Sequence, residues 1–135
     1  MTGGASVTPE ELTAILEDFK ARADGNRLVQ KMLKEWTRNI HITATDLSAR
    51  PEVAGEAAAG GRTWTIVVDN GRIARVAPEP VEPRDVHIQA PAAALAGIFR
   101  GELNPAREFA AGNLKFFGSS KDEMRLDAVI DYIWE

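Results

Sequence analysis

His41 and His87 are the side chains of this sequence best suited to proton transfer near neutral pH. Either would act as a general base if a carboxylate oriented it and a substrate proton lay within hydrogen-bond reach. Neither has a motif beside it, and both fall at outward positions of alternating segments, so solvated strand histidines are expected. No serine occupies the glycine-x-serine-x-glycine turn that exposes a hydrolase nucleophile, and Ser120 reads as a helix cap. The absence of cysteine removes disulfides, thiolate nucleophiles and cysteine-based zinc or iron–sulfur sites together. Asp46 and Asp69 end two strand-like segments, but two carboxylates of unknown spacing make a weak cation site. Gly97, Gly101 and Gly112 lack dinucleotide-binding spacing and read as corners. Glu10, Glu11, Asp122 and Glu123 cluster at helix starts, where the macrodipole accounts for them. No catalytic residue, metal site or cofactor is therefore expected.

The whole-chain balance points the same way. At 135 residues the chain suits one domain over 8–135, with residues 1–7 a flexible tail. Formal net charge is -4, from 16 basic and 20 acidic residues, and the basic residues are scattered. A nucleic-acid partner needs a positive face, so none is expected, and contact with a membrane should be at most transient. No basic cluster leads an apolar run at the start and no apolar stretch approaches the roughly 18 residues of a membrane span, which suits a cytoplasmic protein.

The elements that must hold any site are legible in the spacing. Thr8, Pro9 and Glu11 form a capping box, and Leu12, Ile15, Leu16 and Phe19 then recur at helical spacing until Asp24-Gly25. A second helix is expected from about Asn26 to Trp36, with Leu28, Met32, Leu33 and Trp36 as its stripe. Arg38 to Thr45 alternates like a strand, and so does Arg62 to Asp69. Asn70-Gly71 is a hairpin turn leading to a strand over Arg72 to Val76. A three-residue loop with a bulge would put Ala74 and Val76 on the face of Ile66 and Trp64; a two-residue turn would put Ile73 opposite Val68 instead. Leu47 to Gly61 reads as a connection with at most one helical turn, and Ala77 to Arg84 as a proline-rich linker. Asp85 to Ala90 is a fourth strand with Val86, Ile88 and Ala90 inward. Pro91 and Pro105 open two short helices that Gly101 and Gly112 end. Asn113 to Phe117 is a fifth strand, and a helix from Ser120 runs to Trp134. This order predicts an α+β fold, a five-stranded, mainly antiparallel sheet covered on one face by helices and solvated on the other.

The run LAGIFRGELNPAREFAAGNLKFFG, Leu95 to Gly118, carries the most specific signal. Its corner of Gly101, Glu102, Leu103 and Pro105 is followed by the glycine-led strand of Gly112, Leu114, Lys115, Phe116 and Gly118. Together with TWTIVVDNGRIARV, this resembles the sterol carrier protein type 2 (SCP-2) lipid-transfer domain family over about Leu12 to Trp134. Two departures stand out: the long connection between Asp46 and Arg62, which would either lid a cavity or decorate the surface, and Ser119 where the family often has an acidic residue.

The resemblance implies non-enzymatic binding of a lipid, such as a fatty acid, fatty acyl-CoA or sterol, in an apolar cavity between the sheet and the C-terminal helices. Trp64, Leu95, Ile98, Phe99, Phe109, Phe116, Met124, Ile130, Ile133 and Trp134 would line it, and Arg100, Lys115 or Arg125 would meet an anionic head at its mouth. Burying a twelve-carbon chain gains about 10 kcal/mol at about 0.8 per methylene, and after immobilisation affinity falls near the micromolar range. Two rivals stand beside this reading. One is a homodimer or interaction module docking through Ile133 and Trp134. The other is a small isomerase or dehydratase, which would need a titratable group with a perturbed pKa deep in the pocket.

Overall fold

The computed structural model of the chain describes residues 7–134. The tail expected at 1–7 lies outside the described residues, Val7 apart. Helix α1 (Pro9–Asp24) starts at the expected capping box: Thr8 Oγ1 accepts from the Glu11 amide at 3.1 Å and Glu11 Oε1 from the Thr8 amide at 3.0 Å. Its buried stripe is Leu12, Leu16, Phe19 and Ala23.

Helix α2 (Arg27–Leu33) is shorter than the periodicity suggests and turns a different face inward, with Val29 buried and Leu28 55% exposed. Glu35, at φ 62, turns the chain, and its amide donates to Asn70 Oδ1 at 2.7 Å. Trp36 then leaves the helix for the core, where its indole N–H donates to Asp122 at 2.8 Å.

Five strands, β1 (Thr37–Ala44), β2 (Arg62–Asp69), β3 (Arg72–Ala77), β4 (Val86–Ala90) and β5 (Lys115–Phe117), form one sheet in the order β3-β2-β1-β4-β5. The β1–β4 pair is parallel and the others antiparallel, so the expected mainly antiparallel α+β sheet stands. Asn70 and Gly71, at φ 41 and 100, make the two-residue turn that places Ile73 opposite Val68. A register shift between Val67 and Val68 then brings Val76 opposite Ile66, so Ile73 and Val76 both turn inward, while Ala74 falls at the shift with no partner across from it and is only half-buried.

Between β1 and β2 lies one turn of helix, α3 (Glu56–Ala59). Helices α4 (Ala92–Phe99), α5 (Pro105–Ala110) and α6 (Ser120–Trp134) complete the chain. Asp46 Oδ1 accepts from the Ala92 amide at 2.8 Å and so caps α4 from a distance. The cap of α6 is Ser119, whose Oγ accepts from the Asp122 amide at 3.1 Å, rather than Ser120, which is already helical. On the helix-covered face Ile40, Ile42, Trp64, Ile66, Val68, Val86 and Ile88 meet α1, α4 and α6, with Phe19 and Phe99 edge to face at 4.9 Å.

The other face corrects the expectation of a solvated surface. His41, Thr43, Thr63, Thr65 and His87 are all buried there. They lie under the segments before and after the β2–β3 hairpin, residues 47–61 and 78–84. Thr65 Oγ1 donates to the Glu79 carbonyl at 2.8 Å and accepts from the Val81 amide at 2.9 Å, pinning the second segment. Glu56, fully buried, pins the first by accepting from the Arg50 amide and guanidinium and from the Thr63 amide. Burial alone would raise the Glu56 pKa, yet the hydrogen bonds from Arg50 and Thr63 outweigh it and hold the carboxyl below its ordinary value. The long connection is thus neither a lid nor decoration, because it seals the polar side of the sheet.

Candidate functional site

Where β4 and β5 end the sheet, the covering layer is thin. Helix α5 buries no residue, β5 is three residues long, and α4 and α6 bracket the gap. The result is a cavity of about 300 Å³ lined by Ile88, Ile98, Phe99, Pro105, Ala106, Phe109, Leu114, Phe116, Leu126 and Ile130, together with Glu123 and Asp127. That volume is at the small end of the range for ligand sites, about 300–1,000 Å³. Phe109, 50% exposed, stands at its rim.

Ile98, Phe99, Phe109, Phe116 and Ile130 are therefore brought together. Trp134 lines an adjoining groove of about 270 Å³ that shares Pro105 and Ile130 with the cavity. Its ring lies against Gly101, where an added Cβ would come within 2.4 Å, and Arg22 sits 4.4 Å from the ring centroid. Gly101 at φ 78 is thus required both by its backbone and by the approach of Trp134.

Ile133 packs beside the core. Trp64 and Leu95 belong to the solid core away from the cavity, and the Trp64 indole donates to Thr13 Oγ1 at 2.8 Å. Met124, 70% exposed, points from α6 into a shallow groove with Lys31, Met32, Lys34, Lys121 and Arg125.

None of the cations expected at the mouth lines the cavity. Arg100 lies 3.9 Å from Glu102, Lys115 pairs across from Gln89 on the other face, and Arg125 donates to the Met32 carbonyl at 3.2 Å. The mouth is instead acidic. Asp127 is pushed up to about 6 by burial, then by repulsion from Glu123 and Asp131. Sequence reasoning assigned Glu123 to the helix dipole and passed over Asp127. The available signal was their spacing: with Ile130 they fall at successive turns of one face of α6.

The histidines have a structural assignment. The His41 Nε2–H donates to the Val81 carbonyl at 2.7 Å. Arg84 Nη1 lies 3.4 Å from His87 Nδ1, and a guanidinium only donates, so the His87 proton sits on Nε2. His87 Nε2 then donates to Thr43 Oγ1 at 2.8 Å, and Thr43 to Thr63 at 2.7 Å. Burial, with Arg84 and His41 adding repulsion, lowers His87 to about 4, so the ring is neutral. A polar depression of about 340 Å³ over this face is lined by His41, Thr63, Glu82 and Arg84 among others, and the Thr63 hydroxyl there is held by Thr43 at 2.7 Å.

Asp46 and Asp69 do not meet. Asp69 pairs across from Thr37 at one end of β1, while Asp46 lies beyond Ala44 at the other. Among the described residues no three His, Asp or Glu side chains come together as metal ligands. Nor is any described helix long and apolar enough to cross a membrane.

Comparison with known proteins agrees with this architecture. In fold the chain is similar to sterol carrier protein domain 2 of Helicoverpa armigera, with a TM-score of 0.70 and 17% identity over 96% of this chain and 94% of that one. It is also similar to palmitated SCP2L2 from Aedes aegypti, with a TM-score of 0.61 and 16% identity over 86% and 90% of the two chains. A crystal structure of sterol carrier protein 2 gives a TM-score of 0.61 at 13% identity, over 91% and 95%. Among curated proteins none matches the sequence. The family description that does match covers residues 13–131, nearly every element from α1 to α6, and on that ground the chain belongs to the SCP-2 sterol transfer family.

Proposed function

We propose that residues 8–135 form a single domain that carries a hydrophobic small molecule without chemical turnover, a sterol, fatty acid, fatty acyl-CoA or similar lipid. The observation that carries this reading is the apolar cavity of about 300 Å³ between β4, β5 and the C-terminal helices. Family membership supports it, as does the palmitate in the name of a protein of similar fold. The mechanism is desolvation: apolar surface leaves water for a site already short of contacts, with about 0.8 kcal/mol gained per buried methylene. Helices α5 and α6 flank the entry, and the weak burial of α5 makes it the element that yields to a longer ligand. Cytoplasmic residence belongs to the same proposal and is tested by cell fractionation.

The test combines mass spectrometry of organic extracts of the native protein with titration by a fluorescent sterol and a fluorescent fatty acid. Recovered lipid and saturable binding are expected. Absence of both overturns the carrier reading.

One observation favours a second reading, a pocket enzyme of isomerase or dehydratase type. Asp127, held at about 6, is suited to general acid–base work in an apolar site. Bound lipid recovered unchanged after long incubation rejects it. The dimer alternative has no such support, since Trp134 packs on its own Gly101; sedimentation of Trp134→Asp checks it.

A further inference from the structure

The cavity is apolar along its length but not at its charged margin. Among the described residues, Glu123 and Asp127, one turn apart on α6, are the only charged side chains that line it. Among the described residues neither makes an ion pair or a side-chain hydrogen bond. The charged groups on the neighbouring elements leave that margin uncompensated. On α5, Arg107 is exposed and Glu108 is half-buried, accepting from the Asn113 side-chain amide at 3.2 Å; both lie outside the lining, as does exposed Arg100 after α4. Lys115 of β5 belongs to the opposite face of the sheet, across from Gln89. On α6, Lys121 and Arg125 turn to the groove facing α2, while Asp131 adds a further negative charge next to the cavity, in the adjoining groove.

A carboxylate accepts hydrogen bonds and repels another carboxylate, and the interaction is strong where low-dielectric walls exclude water. Resting on the carrier reading, we infer that this cavity selects amphiphiles whose head donates hydrogen bonds and carries no negative charge, a hydroxyl or an ammonium, and discriminates against fatty carboxylates. The preference belongs to the pair on α6 rather than to the apolar walls, which treat equal hydrocarbon chains alike. It is also pH-dependent in a stated direction. Asp127, at about 6, is ionised in neutral solution and accepts from an alcohol; below that value it is protonated and no longer repels an anionic head.

The experiment uses the full chain and a matched series with one hydrocarbon length: hexadecanol, hexadecylamine and palmitate, each displacing the same fluorescent sterol at about pH 7.5 and low salt. Palmitate is expected to bind about tenfold or more weakly than hexadecanol, with hexadecylamine at least equal to the alcohol. The palmitate deficit should shrink towards about pH 5. Asp127→Asn should raise palmitate affinity about tenfold and change hexadecanol less than about threefold. Glu123→Gln should act in the same direction and serves if the first variant does not fold. Equal binding of hexadecanol and palmitate by the wild type, or an unchanged ratio in the variants, overturns the selection while leaving carriage intact. Failure of all three ligands and the sterol to bind overturns carriage itself, and the selection with it.

Discussion

On the helix-covered face of the sheet, Ile40, Ile42, Trp64 and Ile66 are buried by apolar neighbours, and near Ile88, Phe116 and Ile130 a gap of about 300 Å³ persists. On the opposite face, Thr43, Thr63, Thr65, His41 and His87 are equally buried, yet their polar groups find partners at 2.7–2.9 Å. The same strands supply both faces. Their difference lies in what each kind of contact tolerates. Dispersion and burial are non-directional, so an apolar layer can lose a patch of contacts at a cost spread over many atoms. A buried donor or acceptor that misses its partner costs about 1–3 kcal/mol at one point. Adaptable apolar volume therefore sits on the helix side, whereas the loop side, although it carries a polar depression, is held by directional bonds.

Four experiments sharpen or break that contrast. The largest effect is expected from Glu56→Ala, which leaves the Thr63 amide without its acceptor and the Arg50 guanidinium without its counter-charge, holding only the Pro78 carbonyl. Urea unfolding should show a loss of about 3–5 kcal/mol. A loss below about 1 kcal/mol would mean the polar face is not locked.

Next comes acidification. His87 is lowered to about 4 in the fold and has an ordinary value of 6.5, so the unfolded chain binds the proton more tightly between those values. Stability should fall as pH drops from about 6.5 to 4, by up to about 3 kcal/mol, and His87→Gln should flatten that slope. Asp127 on the other face works oppositely, since its raised value makes the folded state the better proton binder. Its stabilisation is present below its ordinary value of 3.8 and is lost as pH rises through about 6. Unfolding of the Asp127→Asn variant across this window should therefore show a steeper acid loss than the wild type.

Thr43→Val should cost about 1–3 kcal/mol by leaving His87 Nε2 and Thr63 Oγ1 unpaired, as read by thermal unfolding. The smallest stability change is expected from Ile130→Trp, which fills the cavity. It should alter stability by less than about 1 kcal/mol while abolishing binding of a fluorescent sterol. Retained binding would place the ligand elsewhere.

Local signals were read well where they were self-contained. The Thr8–Glu11 box, the Asn70-Gly71 turn and the inward set of Val86, Ile88 and Ala90 each depend on a few adjacent residues and appear as expected. Among the expected lining residues, Ile98, Phe99, Phe109, Phe116 and Ile130 meet at the cavity, whereas Trp64, Leu95 and Met124 do not. Helical stripe and strand parity say which face is apolar, not which part of that face is left unfilled. Leu28 and Trp36 show the same limit, because one exposed and one buried aromatic or aliphatic residue fit a single helix wheel until Glu35 breaks it.

From the sequence alone came the capped helices, the alternating strands, the mixed apolar corner from Leu95 to Gly118 and the likeness to the SCP-2 family, all of which rest on contacts close along the chain. Tertiary structure decided that residues 47–61 and 78–84 would bury the histidines, and that Glu123 and Asp127 would be the charges facing the cavity. Those outcomes depend on which distant segments stop water from reaching a strand or a helix, and periodicity in one segment carries no record of its neighbours in space.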